Sequence, residues 1–252
     1  MSYEIRYDLM QPWSTFVMKT ELPPDILEKM LRITDEIVEN KSSNRIDPTT
    51  GLAPGYKPAV TMHSGALTQG ASKVGAGQVT DQHFIDLKII EQEEMQEYFS
   101  GVCAHYVTLA FAQSTPDQYF IDSKLIKQED TQVDAWPTSM WVNSQKDNEY
   151  FEIHDHANCE FSSVMYLKIP EYLPDRRTYN IATDGAIAFI DNKGRDTIWA
   201  RSMFYIHPQV GDFLIFPASQ QHMVYPFRTV DGEGVRRSVS LNGTFSLKEK
   251  QI

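Results

Sequence analysis

The second half of this chain is a succession of short strand-like segments separated by turn residues, and this pattern limits the fold more than any other feature. No segment after Trp136-Pro137 has the spacing of an amphipathic helix. Eight short strands favour a jelly-roll or double-stranded β-helix, a cupin-like barrel in a mainly β protein with flanking helices. The predicted strands are Met140–Ser144, Tyr150–His156, Phe161–Lys168, Ala186–Asp191, Met203–His207, Asp212–Phe216, His222–Arg228 and Arg236–Phe245.

Two amphipathic helices are predicted ahead of these strands. Residues 23–40 place their apolar side chains on one helical face and begin with a capping-box pattern, Asp25 and Glu28. The second helix is expected over Glu91–Gln113, where apolar residues recur at helical spacing and a Thr-Pro-Asp turn follows. We expect both helices to pack outside the barrel.

The stretch from Lys41 to Gln82 is rich in Ser, Asn, Thr, Gly and Pro, which predicts a long irregular segment. Loops of this length in compact domains are either functional lids or disordered. We expect a partly ordered flap over residues 42–82. One domain overall is predicted, in which residues 1–135 supply helices and lid and residues 136–252 form the catalytic core.

The net charge indicates which partners are not expected, and the cysteine content bears on the cellular compartment. The formal net charge of -11 repels phosphate backbones and anionic membranes, so nucleic acid and membrane are not expected as partners. Cys103 and Cys159 are too few for a disulfide framework and lack the spacing of a thiolate zinc site. The first residues contain no apolar segment typical of a signal peptide, and a cytoplasmic location is predicted.

A histidine pair lies in the strand-like segment YFEIHDH. Since side chains alternate along a strand, His154 and His156 share one face and Asp155 points to the other. Two imidazoles on one face can chelate Fe, Zn, Cu or Ni, so the pair alone does not select a metal. A solvated polar patch at a strand end is an equally good interpretation of the pair taken by itself.

A third histidine strengthens the metal interpretation. In GDFLIFPASQQHMVYPF, a buried strand ends at Pro217, and His222 opens the next strand after a turn. In an eight-stranded roll, that position can lie opposite the end of the second strand, which would complete a three-histidine site. The other histidines, at positions 63, 83, 105 and 207, lie in the irregular stretch, beside or on a helix, or before a proline, and are interpreted as structural.

The last predicted strand, RRSVSLN, carries an arginine that could bind an anion. Arg236, Ser238, Ser240 and Asn242 share one face, whereas Arg237 shares the other face with apolar residues. A guanidinium and a hydroxyl two residues apart match the distal carboxylate of a dicarboxylic acid. The alternative is that both arginines are exposed charges at a strand edge.

These motifs together resemble the 2-oxoglutarate/Fe(II)-dependent oxygenase superfamily, and within it a group of oxygenases common in phage and marine bacterial genomes. The matching segments, over about residues 136–246, are WVN at 141–143, HDHANCEFSSVMYL, GDFLIFPASQQH and RRSVSLN. The resemblance implies Fe(II) held by His154, His156 and His222. It further implies that Arg236 binds the C5 carboxylate of 2-oxoglutarate, with added hydrogen bonds from Ser238 and Tyr166.

The same resemblance implies an activity. Such enzymes combine 2-oxoglutarate and O2, release succinate and CO2, and hydroxylate a C–H bond of a prime substrate, here expected to be a small metabolite or a protein side chain. The chain departs from the wider superfamily at position 156, where His stands in place of the usual Asp or Glu. A site without that carboxylate leaves the metal more positive, which favours a dianionic cosubstrate and alters metal preference or redox behaviour.

Two alternatives share part of this pattern. HDHANCE also fits the cupin pattern HxHxxxE with Glu160 as a fourth ligand, in a metal-dependent dioxygenase or isomerase. Arg236 discriminates, since a cupin enzyme does not need a dicarboxylate-binding RxS on its last strand. The second alternative is a non-catalytic barrel that binds a metal for stability alone.

Overall fold

The computed structural model describes residues 7–10, 16–39, 80–113, 131–173, 183–191 and 202–249. Within these ranges the helices are α1 (Pro24–Glu39), α2 (Leu87–Gln92) and α3 (Gln96–Gln113). The strands are β1 (Tyr7–Met10), β2 (Val17–Glu21), β3 (Asp81–Phe84), β4 (Thr131–Lys146), β5 (Phe151–His154), β6 (Phe161–Lys168), β7 (Ile187–Ile190), β8 (Met203–Ile206), β9 (Asp212–Pro217), β10 (His222–Val224) and β11 (Val235–Glu249).

The described strands form two sheets that pack face to face. A seven-stranded sheet has the order β1-β2-β9-β6-β11-β4-β3, and a four-stranded sheet has the order β5-β10-β7-β8. This arrangement confirms the predicted mainly β, double-stranded β-helix class, and each of the eight predicted strands is present as one of β4 to β11. The expected closed barrel is wrong in one respect: among the described strands, those of the smaller sheet pair only with one another.

Strand β4 is much longer than the predicted segment Met140–Ser144, and it runs through Pro137. A proline has no N–H for the strand ladder, so it needs an irregularity in the pairing. The β4–β11 ladder provides one, because its register shifts between Asn242 and Gly243, which pair with Ser139 and Pro137. The bulge lets two long strands continue past a residue that the sequence pattern treats as a boundary.

The N-terminal helices agree with the sequence in one case and differ in the other. Helix α1 matches the predicted segment to within a residue at each end. The second prediction, one helix from Glu91, is wrong at its start. Glu94 has a left-handed backbone (φ 59°), which ends α2 and separates it from α3.

Three short strands, β1 to β3, were not predicted from the sequence. They lie at the two edges of the larger sheet, where β2 pairs with β9, β1 pairs with β2, and β3 pairs with β4. Gln82, placed in the irregular stretch by the sequence pattern, belongs to β3. Residues 41–79 of that stretch lie outside the described residues, so the lid and the domain division at residue 135 stay predictions.

Each face of the larger sheet has its own core. On one side, Met18, Met165 and Phe213 belong to a cluster packed with the helices. On the other, their neighbours Val17, Tyr166 and Leu214 belong to a cluster shared with the smaller sheet, as strand alternation requires. The space between the sheets is therefore where polar residues of β4 and β11 can form a site. No helix among the described residues is long and apolar enough to span a bilayer.

Candidate metal and cosubstrate site

The β5–β10 ladder brings two of the predicted ligands together. His222, the first residue of β10, is the cross-strand partner of His154, the last residue of β5. On its other side His222 pairs with Phe189 of β7, so its backbone is held between two strands. The rings of His154 and His222 lie 4.2 Å apart between centroids. The predicted position opposite the end of the second strand is confirmed.

His156 also lies beside His222, but it does so from outside the strand, whereas the sequence placed it on the strand Tyr150–His156. The strand ends at His154, so His156 is not on the strand itself. Its backbone N–H instead donates to the carbonyl of Ala218, in the turn after β9. This contact turns the chain inward, and His156 is buried with its ring 5.2 Å from that of His222.

His154, His156 and His222 form the one group among the described residues that could hold a metal ion. Each offers one nitrogen, and these atoms all lie within 4.8 Å of one another. The nearby carboxylates that could have replaced the usual acid, Asp155 and Glu160, are both exposed and outside this group. The donor set is three imidazoles, which suits Fe, Zn, Cu or Ni.

Hydrogen bonds to backbone carbonyls orient two of the three rings. Nδ1 of His222 lies 2.9 Å from the carbonyl oxygen of Gln220, and Nδ1 of His154 lies 2.6 Å from that of Glu152. Because a carbonyl oxygen only accepts, each Nδ1 carries the proton and donates it. Nε2 of both rings therefore keeps a free lone pair, which is the arrangement that carbonyl-bonded metal ligands adopt.

The histidines are uncharged at neutral pH. Burial lowers the pKa of His156 to about 3, and electrostatic repulsion from His154, when His154 is protonated, lowers it further. Burial also lowers the pKa of His222 well below its usual range, with additional contributions from the two neighbouring histidines. The pKa of His154 is lowered by burial as well. Protons therefore compete weakly with a metal for these nitrogens.

The histidines and the predicted cosubstrate residues lie on the wall of one cavity between the two sheets. The open space here is about 480 Å³ including its mouth to solvent, and it is lined by His154, His156, His222, Tyr166, Arg236 and Ser238 among others. Trp141 and Phe216 add apolar surface beside the histidines, with ring centroids 6.0 and 6.4 Å from that of His156.

Arg236 is a buried cation, with 1% of its surface exposed. Its guanidinium donates to the carbonyl of Gly185 and to Oε1 of Gln145. The rings of Tyr166 and Phe227 flank it at 5.7 and 5.4 Å. None of these groups is anionic, and among the described residues no carboxylate lies within ion-pair distance of Arg236. A buried charge of this kind calls for an anionic partner.

Two buried polar atoms at this charge have no hydrogen-bond partner among the described residues, Nε of Arg236 and the hydroxyl of Tyr166. Burial raises the pKa of Tyr166, so the hydroxyl keeps its proton and can donate. Ser238 is the ladder partner of Tyr166 and adds a second hydroxyl to the same wall. A charged donor, two hydroxyls and an unfilled Nε–H fit a carboxylate well.

Arg237 lies on the opposite face of β11, as the alternation along the strand predicts. Its guanidinium donates to Oδ1 of Asp35 on α1 at 2.9 Å. Lys168 binds the same carboxylate at 2.6 Å. Arg237 does not line the cavity, so of the two adjacent arginines the inward one is Arg236.

The other histidines that the structure describes lie outside the cluster. His83 is buried on β3, whereas the sequence placed it at a helix border. His105 lies on α3, and His207 is exposed after β8. His63 lies outside the described residues.

Several lining residues were not identified from the sequence. Gln145 and Asn143 continue the inward face of β4, so extending the period-two pattern would have found both. Gln82 on β3 donates to Oδ1 of Asn143 at 2.6 Å, and Asn143 donates to Oγ of Ser240 at 3.1 Å. No sequence signal indicates Gln82, because it depends on an edge strand that the pattern does not show.

Comparisons with known proteins concern the fold and the family rather than single residues. No protein of curated function matches the chain. Among solved structures, the carbocyclase SnoK of nogalamycin biosynthesis, described as non-haem and alpha-ketoglutarate dependent, has a TM-score of 0.50 and 8% identity. The match covers 95% of this chain and 83% of SnoK. This likeness shows the fold.

Two further structures align less closely. A prolyl-4-hydroxylase from Pseudomonas putida has a TM-score of 0.44 and 13% identity, over 93% of this chain and 92% of that chain. A 2OG-Fe(II) oxygenase family protein from Burkholderia pseudomallei has a TM-score of 0.34 and 15% identity. In that case the match covers 53% of this chain and 59% of the other.

A family profile described as "Putative 2OG-Fe(II) oxygenase" matches residues 139–242. The matched segment runs from β4 to β11 and contains all three histidines and Arg236. Fe(II) and 2-oxoglutarate are the cofactor and cosubstrate of that family. The narrower phage and marine bacterial subgroup stays a prediction. This match agrees with the resemblance to the 2-oxoglutarate/Fe(II)-dependent oxygenase superfamily that the sequence motifs indicate.

Proposed function

We propose that His154, His156 and His222 hold Fe(II), and that Arg236 binds the C5 carboxylate of 2-oxoglutarate. Ser238 and Tyr166 donate further hydrogen bonds to that carboxylate. The reaction hydroxylates a C–H bond of a prime substrate and releases succinate and CO2. The observation that carries this proposal is the buried guanidinium of Arg236, which lines the same cavity as the histidine cluster and has only neutral partners.

Bound iron would supply the oxidative chemistry, activation of O2 coupled to decarboxylation of 2-oxoglutarate. The residues of this chain bind, orient and shield. Neutral histidines offer lone pairs without proton loss, and Arg236 fixes one end of the cosubstrate. Trp141, Phe216 and the other apolar side chains of the wall exclude water.

The site would be unusual in its charge. Three imidazoles leave the full charge of a divalent metal uncompensated by protein, whereas an acid at position 156 would cancel part of it. Arg236 adds a further positive charge to the cavity. A dianionic cosubstrate with a carboxylate at each end complements both charges.

A cupin-type dioxygenase or isomerase is the second candidate, and it needs Glu160 as a fourth ligand. Glu160 is exposed and lies outside the histidine group. A cupin site also gives no role to the buried charge of Arg236. Both observations favour the oxygenase over the cupin, and the same charge argues against a barrel that binds metal only for stability.

The prime substrate is proposed as a small metabolite or a protein side chain, in a cytoplasmic enzyme. The net charge of -11 disfavours nucleic acid and anionic membranes. Part of the cavity between the sheets would be filled by 2-oxoglutarate.

The test is succinate formation by purified, Fe(II)-loaded protein supplied with 2-oxoglutarate and O2. We expect succinate release that depends on both metal and 2-oxoglutarate, at the slow rate of turnover uncoupled from a prime substrate. Metal content and anaerobic 2-oxoglutarate binding are measured on the same preparation. Protein that binds the metal but no 2-oxoglutarate would contradict the proposal and favour the cupin or the non-catalytic barrel.

A further inference from the structure

Gln145 forms a hydrogen bond with Arg236, and the proposed function gives Gln145 no role. It lies directly across the β4–β11 ladder from Arg236 and is 2% exposed. Its Oε1 accepts a hydrogen bond from the guanidinium. Gln145 also lines the cavity itself.

The amide of Gln145 is held in one orientation. Its Nε2 donates to the carbonyl oxygen of Glu149, in the turn between β4 and β5. Since a carbonyl cannot donate, the NH2 group must face Glu149 and the oxygen must face Arg236. The carboxylate of Glu149 is occupied elsewhere, because its Oε2 accepts from the backbone N–H of Lys146 at 2.8 Å.

The second acceptor of Arg236, the carbonyl of Gly185, is equally fixed. Gly185 has a left-handed backbone (φ 71°), and a Cβ there would lie 2.4 Å from the ring of Tyr172. Its N–H donates to the carbonyl of Pro226 at 2.9 Å. Only glycine meets both conditions, so the carbonyl that faces Arg236 is set by the backbone.

These contacts hold the guanidinium without neutralising it. Two neutral oxygens and two ring faces surround Arg236, and Nε stays without a partner. A glutamate at position 145 would have nearly the same size as glutamine but would form an ion pair with Arg236. That pair would cancel the charge to which a ligand carboxylate binds.

We infer that Gln145 is a positioning residue that sets cosubstrate specificity: it orients Arg236 and leaves its charge free for a distal carboxylate. The cavity then selects a 2-oxo acid that has such a carboxylate over one of equal length that lacks it. This inference rests on the proposed function, and it concerns the neutrality of Gln145 rather than the presence of Arg236.

The test compares two ligands, 2-oxoglutarate and 2-oxopentanoate, which has the same chain length without the distal carboxylate. Each is titrated anaerobically by calorimetry into Mn(II)-loaded wild type, Gln145→Glu and Gln145→Leu. Gln92→Glu is the matched control, because it makes the same charge change at an exposed position on α2. Thermal melting of each variant reports on folding.

We expect Gln145→Glu to weaken 2-oxoglutarate binding by about tenfold or more, since its carboxylate competes for Arg236. Binding of 2-oxopentanoate should stay within about twofold of wild type, because this ligand has no group for Arg236. Gln145→Leu keeps the charge but loses its orientation, so the loss should be about threefold and again confined to 2-oxoglutarate. Gln92→Glu should change neither.

Equal weakening of both ligands would overturn the inference, since it would show that Gln145 acts only on the fold. Unchanged 2-oxoglutarate binding in Gln145→Glu would overturn it as well. If Gln145→Glu does not fold, Gln145→Leu decides by the same comparison of ligands. Failure of the wild type to bind 2-oxoglutarate would instead reject the proposed function on which the inference rests.

Discussion

The two faces of the seven-stranded sheet differ in how buried positive charges are paired. Two adjacent residues of β11, Arg236 and Arg237, show this difference. Arg237 lies on the helix side, where it and Lys168 bind the carboxylate of Asp35. Arg236 lies on the cavity side and has only neutral partners among the described residues. Both guanidinium groups are buried.

In the proposed function, this difference separates a structural charge, Arg237, from a charge that binds a ligand, Arg236. The ion pair of Arg237 with Asp35, which Lys168 also binds, ties α1 to strands β6 and β11. Arg236 is held in place at a cost, because a buried cation without an anion is unfavourable. In the proposed function, an anionic ligand removes that cost by pairing with the guanidinium. In the proposed function, the three neutral histidines bind a metal cation on the same face.

The largest expected effect concerns the histidines of the cavity face. His154→Ala, His156→Ala and His222→Ala should each weaken metal binding by about 100-fold or more, because two imidazoles remain of three. Metal content after dialysis, measured by mass spectrometry, checks this. His207→Ala is the control, as this histidine is exposed and outside the cluster. Wild-type metal content in all three variants would place the site elsewhere.

The second-largest effect is a difference in 2-oxoglutarate binding between variants of Arg236 and Arg237. Arg236→Ala should weaken 2-oxoglutarate binding by about 2–5 kcal/mol, the cost of removing one partner of a desolvated charge pair. Arg237→Ala should leave that binding unchanged and lower only the free energy of unfolding. Anaerobic titration of Fe(II)-loaded protein, followed by the metal-to-ligand charge-transfer band, distinguishes them. Weaker binding in the Arg237 variant alone would reverse the assignment.

Acid should destabilise the metal-free cavity face below the ordinary histidine pKa of 6.5. The unfolded chain takes up protons there, whereas the folded chain does not, since burial lowers the pKa of His156 to about 3 and lowers those of His154 and His222. Stability is therefore full above pH 6.5 and is lost as pH falls, by about 1.4 kcal/mol per pH unit for each histidine.

Denaturant unfolding of metal-free protein between pH 8 and pH 5 measures this slope. His156→Gln should reduce it by about 1.4 kcal/mol per pH unit. Stability that does not change across this range would show that the histidines are protonated in the folded protein, and would count against their burial as neutral ligands.

A smaller effect is expected on the helix face. Partial burial alone would raise the pKa of Asp35, but hydrogen bonding and charge from Lys168, with the charge of Arg237, lower it overall. The stabilisation is therefore present above the ordinary carboxyl range and is lost as pH falls through the lowered pKa. Asp35→Asn should cost about 0.5–1 kcal/mol at pH 7, because the carboxylate is partly exposed.

Urea unfolding at pH 7 and at pH 3 tests this prediction. The difference between Asp35→Asn and wild type should be smaller at the lower pH, where more of the wild-type carboxyl is protonated than at pH 7. Metal and 2-oxoglutarate binding should be unchanged. A change in either would show that the helix face contributes to the site.

The last prediction is that a substitution at Glu160 has no effect on binding. Glu160→Gln should keep the metal content and the 2-oxoglutarate binding of the wild type, because Glu160 is exposed and outside the histidine group. The same metal analysis and titration apply. Loss of metal in this variant would make Glu160 a ligand and move the protein to the cupin class.

The sequence by itself determined which residues share a face. Alternation along β11 separates Arg236 from Arg237, and the eight strands of the second half follow from their apolar pattern and turn residues. These are local properties, set by backbone geometry and the chemistry of each side chain. The residues of the proposed site were therefore visible in four short motifs.

Only the tertiary structure decided how those motifs meet. Pairing of β5 with β10 places His222 against His154, and the inward turn at Ala218 brings in His156. The two neutral acceptors of Arg236 are far from it in the chain. The pairing of β4 with β11 brings in the side chain of Gln145, and the left-handed backbone of Gly185 directs its carbonyl toward the guanidinium. Such contacts arise from packing between segments far apart in sequence, which a periodic pattern within one segment cannot specify.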